Sequence, residues 1–413
     1  MYHFTSKSYT FLDLFAGCGG LSEGFYREGF DAVAHLEIDR IACETLRRQM
    51  ARHGYDHVNE SVLCADIADP SALSMLEKLA ARRTVDVVIG GPPCQSFSKL
   101  GRVRDPNNME DDPRNYLFER YVEILNHFRP KLFVFENVTG ILTQTIRGDR
   151  IIERILDRLG RHYLLLQNPD NMVLNAVHYG VPQERERIII IGVRRDLSLN
   201  AEDLYADILK THYDRKETPT EGLQKYISVR DAIGDLPKLK PGLGQSLMPY
   251  QPKSPSVYAR SLHGTEGDII RDHIARNHNI QDILRYTEMA KNRWSFLQML
   301  DNRSDLGHKK RRVFFNSYKV QWWENPSKTI IAHLYKDGNQ FIHPDWRQGR
   351  TLTVREVARL QSFPDNFEFA GSRTDQYKQI GNAVPPLMAA AIACSIRKNL
   401  DKITQNKKQC AIA

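Results

Sequence analysis

Short apolar runs alternate with amphipathic stretches through the first half of the chain. Residues 10–15, 33–38, 85–90, 132–136 and 188–193 are rich in Val, Ile and Phe and bounded by Gly, Pro or polar residues. Such runs predict buried strands, and residues 62–65 form a shorter candidate. Between them, residues 21–28, 40–52, 116–127 and 150–159 carry apolar positions at helical spacing. Alternation of this kind predicts an α/β fold, a parallel sheet covered on both faces. Ligands of such sheets bind at the carboxyl ends of the strands. After Val193 the texture changes. Residues 196–228 are polar and partly helical, and residues 228–237 (SVRDAIGDLP) read as an amphipathic turn leading out of the first domain. Residues 238–330 are rich in Pro, Gly, Ser, Arg and aromatics with poor periodicity, which predicts a second, irregular domain. The α/β texture returns near Val354, with helices predicted over 354–361 and 387–400 and a frayed tail over 405–413.

Composition narrows the class. The chain has 413 residues, 41% of them hydrophobic and 26% charged, enough for a substantial core in two or three domains. No apolar run approaches bilayer-spanning length, and the first residues, MYHFTSKSYTFLDLF, lack the pattern of a signal peptide. Six cysteines include no CxxC pair, so neither a disulfide scaffold nor a structural zinc site is expected, and a reducing, cytoplasmic setting fits. The formal charge is +8, and residues 240–330 alone hold fifteen Lys or Arg against eight Asp or Glu. A polyanionic partner is the natural reading of so localised an excess.

Four segments carry candidate chemistry. FLDLFAGCGGLSEGF (11–25) is a strand ending at Phe15, then Gly17, Gly19 and Gly20, then a helix. Such glycines let the backbone approach a nucleotide-like ligand. Glu37 closes the next strand about 20 residues on, where an acid can grip ribose hydroxyls. Asp66 follows the strand candidate at 62–65; it could accept from an adenine amino group or simply cap a helix. In VDVVIGGPPCQSFS (85–98) a buried strand runs into Gly-Gly-Pro-Pro and then Cys94, placing a thiol at the sheet's carboxyl edge. In PKLFVFENV (130–138) the strand ends in Glu136, a candidate for acid work. Alternation along QERER (183–187) puts Arg185 and Arg187 on one face, where two guanidinium groups can hold a carbonyl, a phosphate or the glutamate.

DLFAGCGG, PPCQSFS, ENV, QERER, RLQSFP (359–364) and QIGNAVPP (379–386), in that order around a basic insert, resemble the DNA cytosine-5 methyltransferases of bacterial restriction-modification systems over almost the full length. The resemblance implies a doubly wound, mostly parallel sheet of the S-adenosylmethionine-dependent methyltransferase type. It also implies a catalytic and cofactor domain (1–228), an inserted target-recognition domain (229–349) and a hinge and C-terminal segment returning to the first domain (350–413). Phe15, Ala16, Gly17, Gly19, Gly20, Glu37, Ile38, Asp66, Ile67, Leu117, Asn382 and Ala383 are the cofactor-binding residues it suggests. Phe15 would stack on adenine, and Ile38 stands where the family often has an aromatic. Gln95, Ser98, Thr329 and the run Lys309, Lys310, Arg311, Arg312 are its DNA contacts. Implied too are double-stranded DNA as substrate, S-adenosylhomocysteine as product, a bacterial, nucleoid-associated monomer, and room for a separate cognate restriction endonuclease.

The expected chemistry is covalent: a Cys94 thiolate adds to carbon 6 of a flipped-out cytosine, Glu136 donates to N3, Arg185 holds O2 and Arg187 orients Glu136. Residues 99–115 are expected to close over the base. Two rivals remain. A tRNA methyltransferase of the same family usually has threonine where Ser98 stands and lacks a large basic insert. A nicotinamide-dependent oxidoreductase would use the glycine turn but leaves Cys94, Glu136 and the arginine pair unexplained.

Overall fold

Five parallel strands and the crossovers between them build the frame that positions the site. In the computed structural model, residues 9–81, 83–93, 116–146, 148–264, 267–307 and 317–410 are described, the side chains of 406–410 excepted. β1 (Thr10–Leu14) lies at the centre, buried along its whole length. α1 (Gly20–Arg27) leads to β2 (Asp31–Glu37), and α2 (Arg40–Arg52) leads on towards β3 (Val62–Cys64). β2 pairs with β1 and β3 with β2, both in parallel. β4 (Val87–Gly90) then returns to the other side of β1, and β5 (Leu132–Val138) pairs with β4, again in parallel. The eight-stranded sheet runs β3-β2-β1-β4-β5, followed by the antiparallel strand Glu186–Arg194 and Tyr163–Leu164, with Val173–Asn175 also on Glu186–Arg194. Strand order therefore reverses between β1 and β4, the switch point at which open α/β sheets bind ligands.

Local chemistry explains the first crossovers. Asp39 caps α2, its carboxylate accepting from the N–H groups of Ile41 (2.8 Å) and Ala42 (3.2 Å). α1 packs so closely on the C-terminal helix that a Cβ on Gly24 would meet the Ala389 backbone at 2.4 Å. That helix, Pro386–Cys410, runs past the end expected at residue 400. The reason is tertiary: Ile403 is buried, and Lys398 (2.6 Å) and Lys402 (3.0 Å) clamp Asp207. By length and composition the stretch Arg373–Gln405 could cross a bilayer, which sequence inspection did not anticipate; 72% of its most apolar window is buried, as in a core helix.

The chain divides into two compact units: Met1–Asn175 with Glu186–Leu209 and Pro386–Ala413, and Ala176–Arg185 with Lys210–Pro385. The bounds expected at 228 and 349 do not coincide with these, because residues 350–385 are tied into the second unit. Arg350 makes two bonds of 2.7 Å to Glu356, and Arg359 reaches both Asp365 (2.7 Å) and Asp235 (2.8 Å). Arg355 donates to the carbonyls of Arg271, Pro364 and Phe367. All three arginines are fully buried, so each needs these partners to offset desolvation. A separate apolar cluster of the same unit stacks Phe296 on Tyr318 at 4.4 Å.

Candidate active site

The carboxyl ends of β1, β2 and β3 carry a nucleotide-sized set of groups. Phe15, half-buried, takes φ +57, a left-handed backbone uncommon for a non-glycine residue, and Gly17 (+56) and Gly19 (+86) follow it. The turn is pinned from two sides. Ala16 N–H donates to Leu36 O at 3.2 Å and Gly17 N–H to Glu37 Oε2 at 2.8 Å. The other Glu37 oxygen accepts from Asp39 N–H at 2.8 Å. Glu37 thus holds the glycine turn against the start of α2, with acceptor capacity to spare. Burial raises its pKa, and the bonds from the Asp39 and Gly17 amides oppose that rise. Beneath it, burial pushes Asp13 up to about 8 while a bond from Ser22 lowers it.

Beside Glu37, Ile38 leaves 64% of its surface exposed, an unusual place for a large aliphatic side chain at a strand end. Asp66 is exposed and Ile67 buried; Asp66 Oδ1 accepts from Ala68 N–H at 2.9 Å in a turn, and the helix that follows, Ser71–Ala80, starts only after Pro70, so the helix-cap role weighed from sequence is not the one Asp66 takes. Leu117 is half-buried at the start of the helix Leu117–Phe128. An acid clamped to the Gly17 and Asp39 amides, an exposed aliphatic face and a half-buried aromatic ring suit an adenosine-bearing cofactor.

The ends of β4 and β5 supply a second constellation. Gly90 pairs with Leu14 on one side and Phe135 on the other, so the Gly91–Pro92–Pro93 turn leaves the sheet next to Glu136. A Cβ on Gly91 would lie 2.7 Å from Glu136 Oε2, so any side chain there would press on that carboxylate. Asn137, buried, donates to Pro92 O at 3.2 Å. Arg187 comes from the antiparallel neighbour of β5, where Ile189 faces Glu136. Its Nε lies 3.0 Å from Glu136 Oε1, with 11% and 12% of the two side chains exposed. Burial lowers the Arg187 pKa and the Glu136 charge opposes that. The result is a nearly dry carboxylate–guanidinium pair against the turn that leads into residue 94.

Arg185 requires a correction. The expectation put it beside Arg187 on a substrate carbonyl. Only 1% of it is exposed, and its guanidinium donates to the backbone carbonyls of Ile330 (2.6 Å), Gly381 (3.1 Å) and Ala383 (2.9 Å). It is a clamp inside the second unit, its buried donors satisfied by backbone carbonyls. Gln183 and Gln361, which sequence reasoning passed over, complete that clamp. Gln183 donates to Leu360 O (3.2 Å) and accepts from Ile330 N–H (2.8 Å); Gln361 donates to Ala383 O (2.7 Å). Asn382 is exposed and Ala383 buried at the end of the helix Arg373–Asn382, both in the second unit. Thr329 donates its hydroxyl to Glu184 O at 2.5 Å. Cys94, Gln95, Ser98, the loop over 99–115 and Lys309, Lys310, Arg311 and Arg312 lie outside the described residues. Elsewhere burial pushes the Cys18 thiol up to about 12 and raises Cys43 and Cys394, so these three are poor nucleophiles.

The profile of the C-5 cytosine-specific DNA methylases matches residues 9–398. The Type II methyltransferase M.Bpa9945I of Bacillus paralicheniformis is 33% identical, over 94% of this chain and 98% of its own length. The Type II methyltransferase M1.HphI of Haemophilus parahaemolyticus is 34% identical, over 95% and 87%. Among solved structures, a prophage-encoded E. coli chain superposes with a TM-score of 0.69 at 24% identity, covering 95% of this chain and all of its own, and so shares the fold.

Proposed function

The chain belongs to the family of C-5 cytosine-specific DNA methylases, and from that premise we propose a mechanism: methyl transfer to carbon 5 of a flipped-out cytosine in a specific duplex sequence, through a covalent Cys94 adduct. The observation that carries this reading is the Glu136–Arg187 pair, set beside the Gly91–Pro93 turn that enters Cys94. Carbon 5 of cytosine is a weak nucleophile. Bonding of the Cys94 thiolate to carbon 6 frees the 5,6 electron pair for carbon 5. Glu136, a carboxylate against Arg187 in the free chain, takes up a proton as the base enters, donates it to N3 and so balances the charge that develops as sulfur adds. Arg187 orients Glu136 and, since Arg185 is consumed by backbone carbonyls, also takes the O2 contact. Loss of the carbon-5 proton to a base then returns its electron pair to the ring and expels the Cys94 sulfur.

S-adenosylmethionine, when bound, supplies an electrophilic methyl group and leaves as S-adenosylhomocysteine. Phe15, the close-approaching backbone of the 16–20 turn, Glu37, Ile38, Asp66, Ile67 and Leu117 would hold it. A duplex cytosine must leave its stack to reach Cys94, at a cost of a few kcal/mol, and Gln95, Ser98, Thr329 and the 309–312 cations are the residues assigned to DNA. The similar proteins are type II methyltransferases, which leaves room for a cognate restriction endonuclease acting separately.

The test is incubation with tritiated S-adenosylmethionine and either duplex DNA or tRNA. DNA becomes labelled, Cys94→Ser abolishes the label, and a duplex carrying 5-fluorocytosine at the modified position stays covalently attached. Label confined to tRNA, or unchanged in Cys94→Ser, refutes the reading.

A further inference from the structure

All four tryptophans of the chain lie in the second unit, and three of them line one cavity of about 470 Å³. That volume falls within the range of roughly 300–1,000 Å³ typical of small-ligand pockets. Trp322, Trp323 and Trp346 form its aromatic wall, and five Lys or Arg side chains line it against one carboxylate, Asp345. The cations sit over the rings: Arg230 is 4.9 Å from the centroid of Trp323, Arg293 4.8 Å from Trp322, and Lys291 5.6 Å from Trp346. Arg293 is answered by Glu324 at 3.2 Å, whereas Arg230, Lys238 and Lys291 form no ion pair among the described residues. A ring face positions a cation without consuming its N–H donors. Three positive charges are therefore aimed or gathered at the cavity with their hydrogen-bonding capacity intact. His343 lies at the same wall, fully buried and held neutral by burial; its Nδ1 accepts from Asp345 N–H at 3.1 Å.

Planar aromatic walls suit a base, and uncompensated cations suit a phosphate. We propose that this cavity binds one nucleoside 5′-phosphate unit, its base against the tryptophans and its phosphate on Arg230, Lys238 and Lys291. It uses no residue of the first unit. The unit comes either from an unpaired position in DNA or from a free nucleotide.

Calorimetry on the full chain, kept saturated with S-adenosylhomocysteine, separates these sources. The titrants are thymidine 5′-monophosphate, thymidine, inorganic phosphate, and duplexes with and without one bulged thymidine. Lys291→Gln and Trp346→Ala are the variants; both side chains are exposed, Trp346 by 39%, so folding is retained. The monophosphate binds saturably, at least tenfold tighter than thymidine or phosphate, and each variant weakens it at least fivefold. Preference for the bulged duplex that both variants lose assigns the site to DNA; monophosphate binding without that preference assigns it to a free nucleotide. Absence of both, monophosphate binding no tighter than phosphate, or affinities unchanged in both variants overturns the proposal. No arm reads methyl transfer, so this failure leaves the proposed function standing.

Discussion

Replacing Arg187 with Gln removes the charge that faces Glu136 while keeping most of the side chain's length. The Nε–Oε1 separation is 3.0 Å and both groups are nearly buried. Two unit charges about 4 Å apart attract by roughly 4 kcal/mol at an effective dielectric of 20, and breaking a buried pair costs about 3–5 kcal/mol, since it strands the remaining charge. Taking about 3 kcal/mol as the loss of orientation at Glu136, and about 1.4 kcal/mol per decade of rate, kcat falls on the order of 100-fold. The proposed place of the methyl donor is along β1 to β3, away from this pair, so its KM is expected to stay within about twofold. The assay is single-turnover tritium transfer at saturating DNA and donor, run beside circular-dichroism melting to show that the variant is folded. A folded Arg187→Gln enzyme with kcat within threefold of the parent refutes the reasoning, as does a loss that appears wholly in the donor KM.

Three further outcomes follow from the same geometry. Gly19→Ala forces a side chain onto φ +86 and places its Cβ 2.0 Å from Gln49 Oε1; it lowers stability by about 1–2 kcal/mol from the left-handed backbone alone and weakens S-adenosylhomocysteine at least tenfold by calorimetry, whereas unchanged affinity contradicts the cofactor assignment. Ile38→Ala removes an exposed aliphatic face without touching the core, so melting stays put while the same affinity drops by about 1–2 kcal/mol, the worth of covering a large aliphatic side chain; an unaltered Kd sinks that role. Burial works against ionisation of Glu23, but the His53 bond and the Arg52 charge outweigh it and hold the carboxyl at about 2. Because its folded pKa lies below the unfolded value, its stabilisation is present above about pH 4.5 and is lost as pH falls towards 2; urea melts between pH 7 and 3 show that acid limb, and Glu23→Gln flattens it.

The frame of the site was legible because it is written locally. Apolar runs ending in Phe15, Glu37 and Glu136 mark strand ends, and glycines after Phe15 or before Pro92 mark turns where backbone must approach something else. Period and punctuation are properties of neighbouring residues, so the residues at the carboxyl edge of the sheet could be named before any contact was known. The buried arginines 350, 355 and 359 gave no such signal. An arginine among polar neighbours reads as solvated until the carboxylates of Glu356, Asp365 and Asp235 are brought to it.

What the sequence by itself determined is the list of chemical groups and the strand ends that carry them. What only the tertiary structure decided is which partner each group meets. Arg185 and Arg187 are two residues apart in one motif, yet one is spent on backbone carbonyls and the other on Glu136. The reason is physical: a guanidinium satisfies its donors on whatever acceptors the fold brings within about 3 Å, and the acceptors here come from residues 136, 330, 381 and 383, far off along the chain.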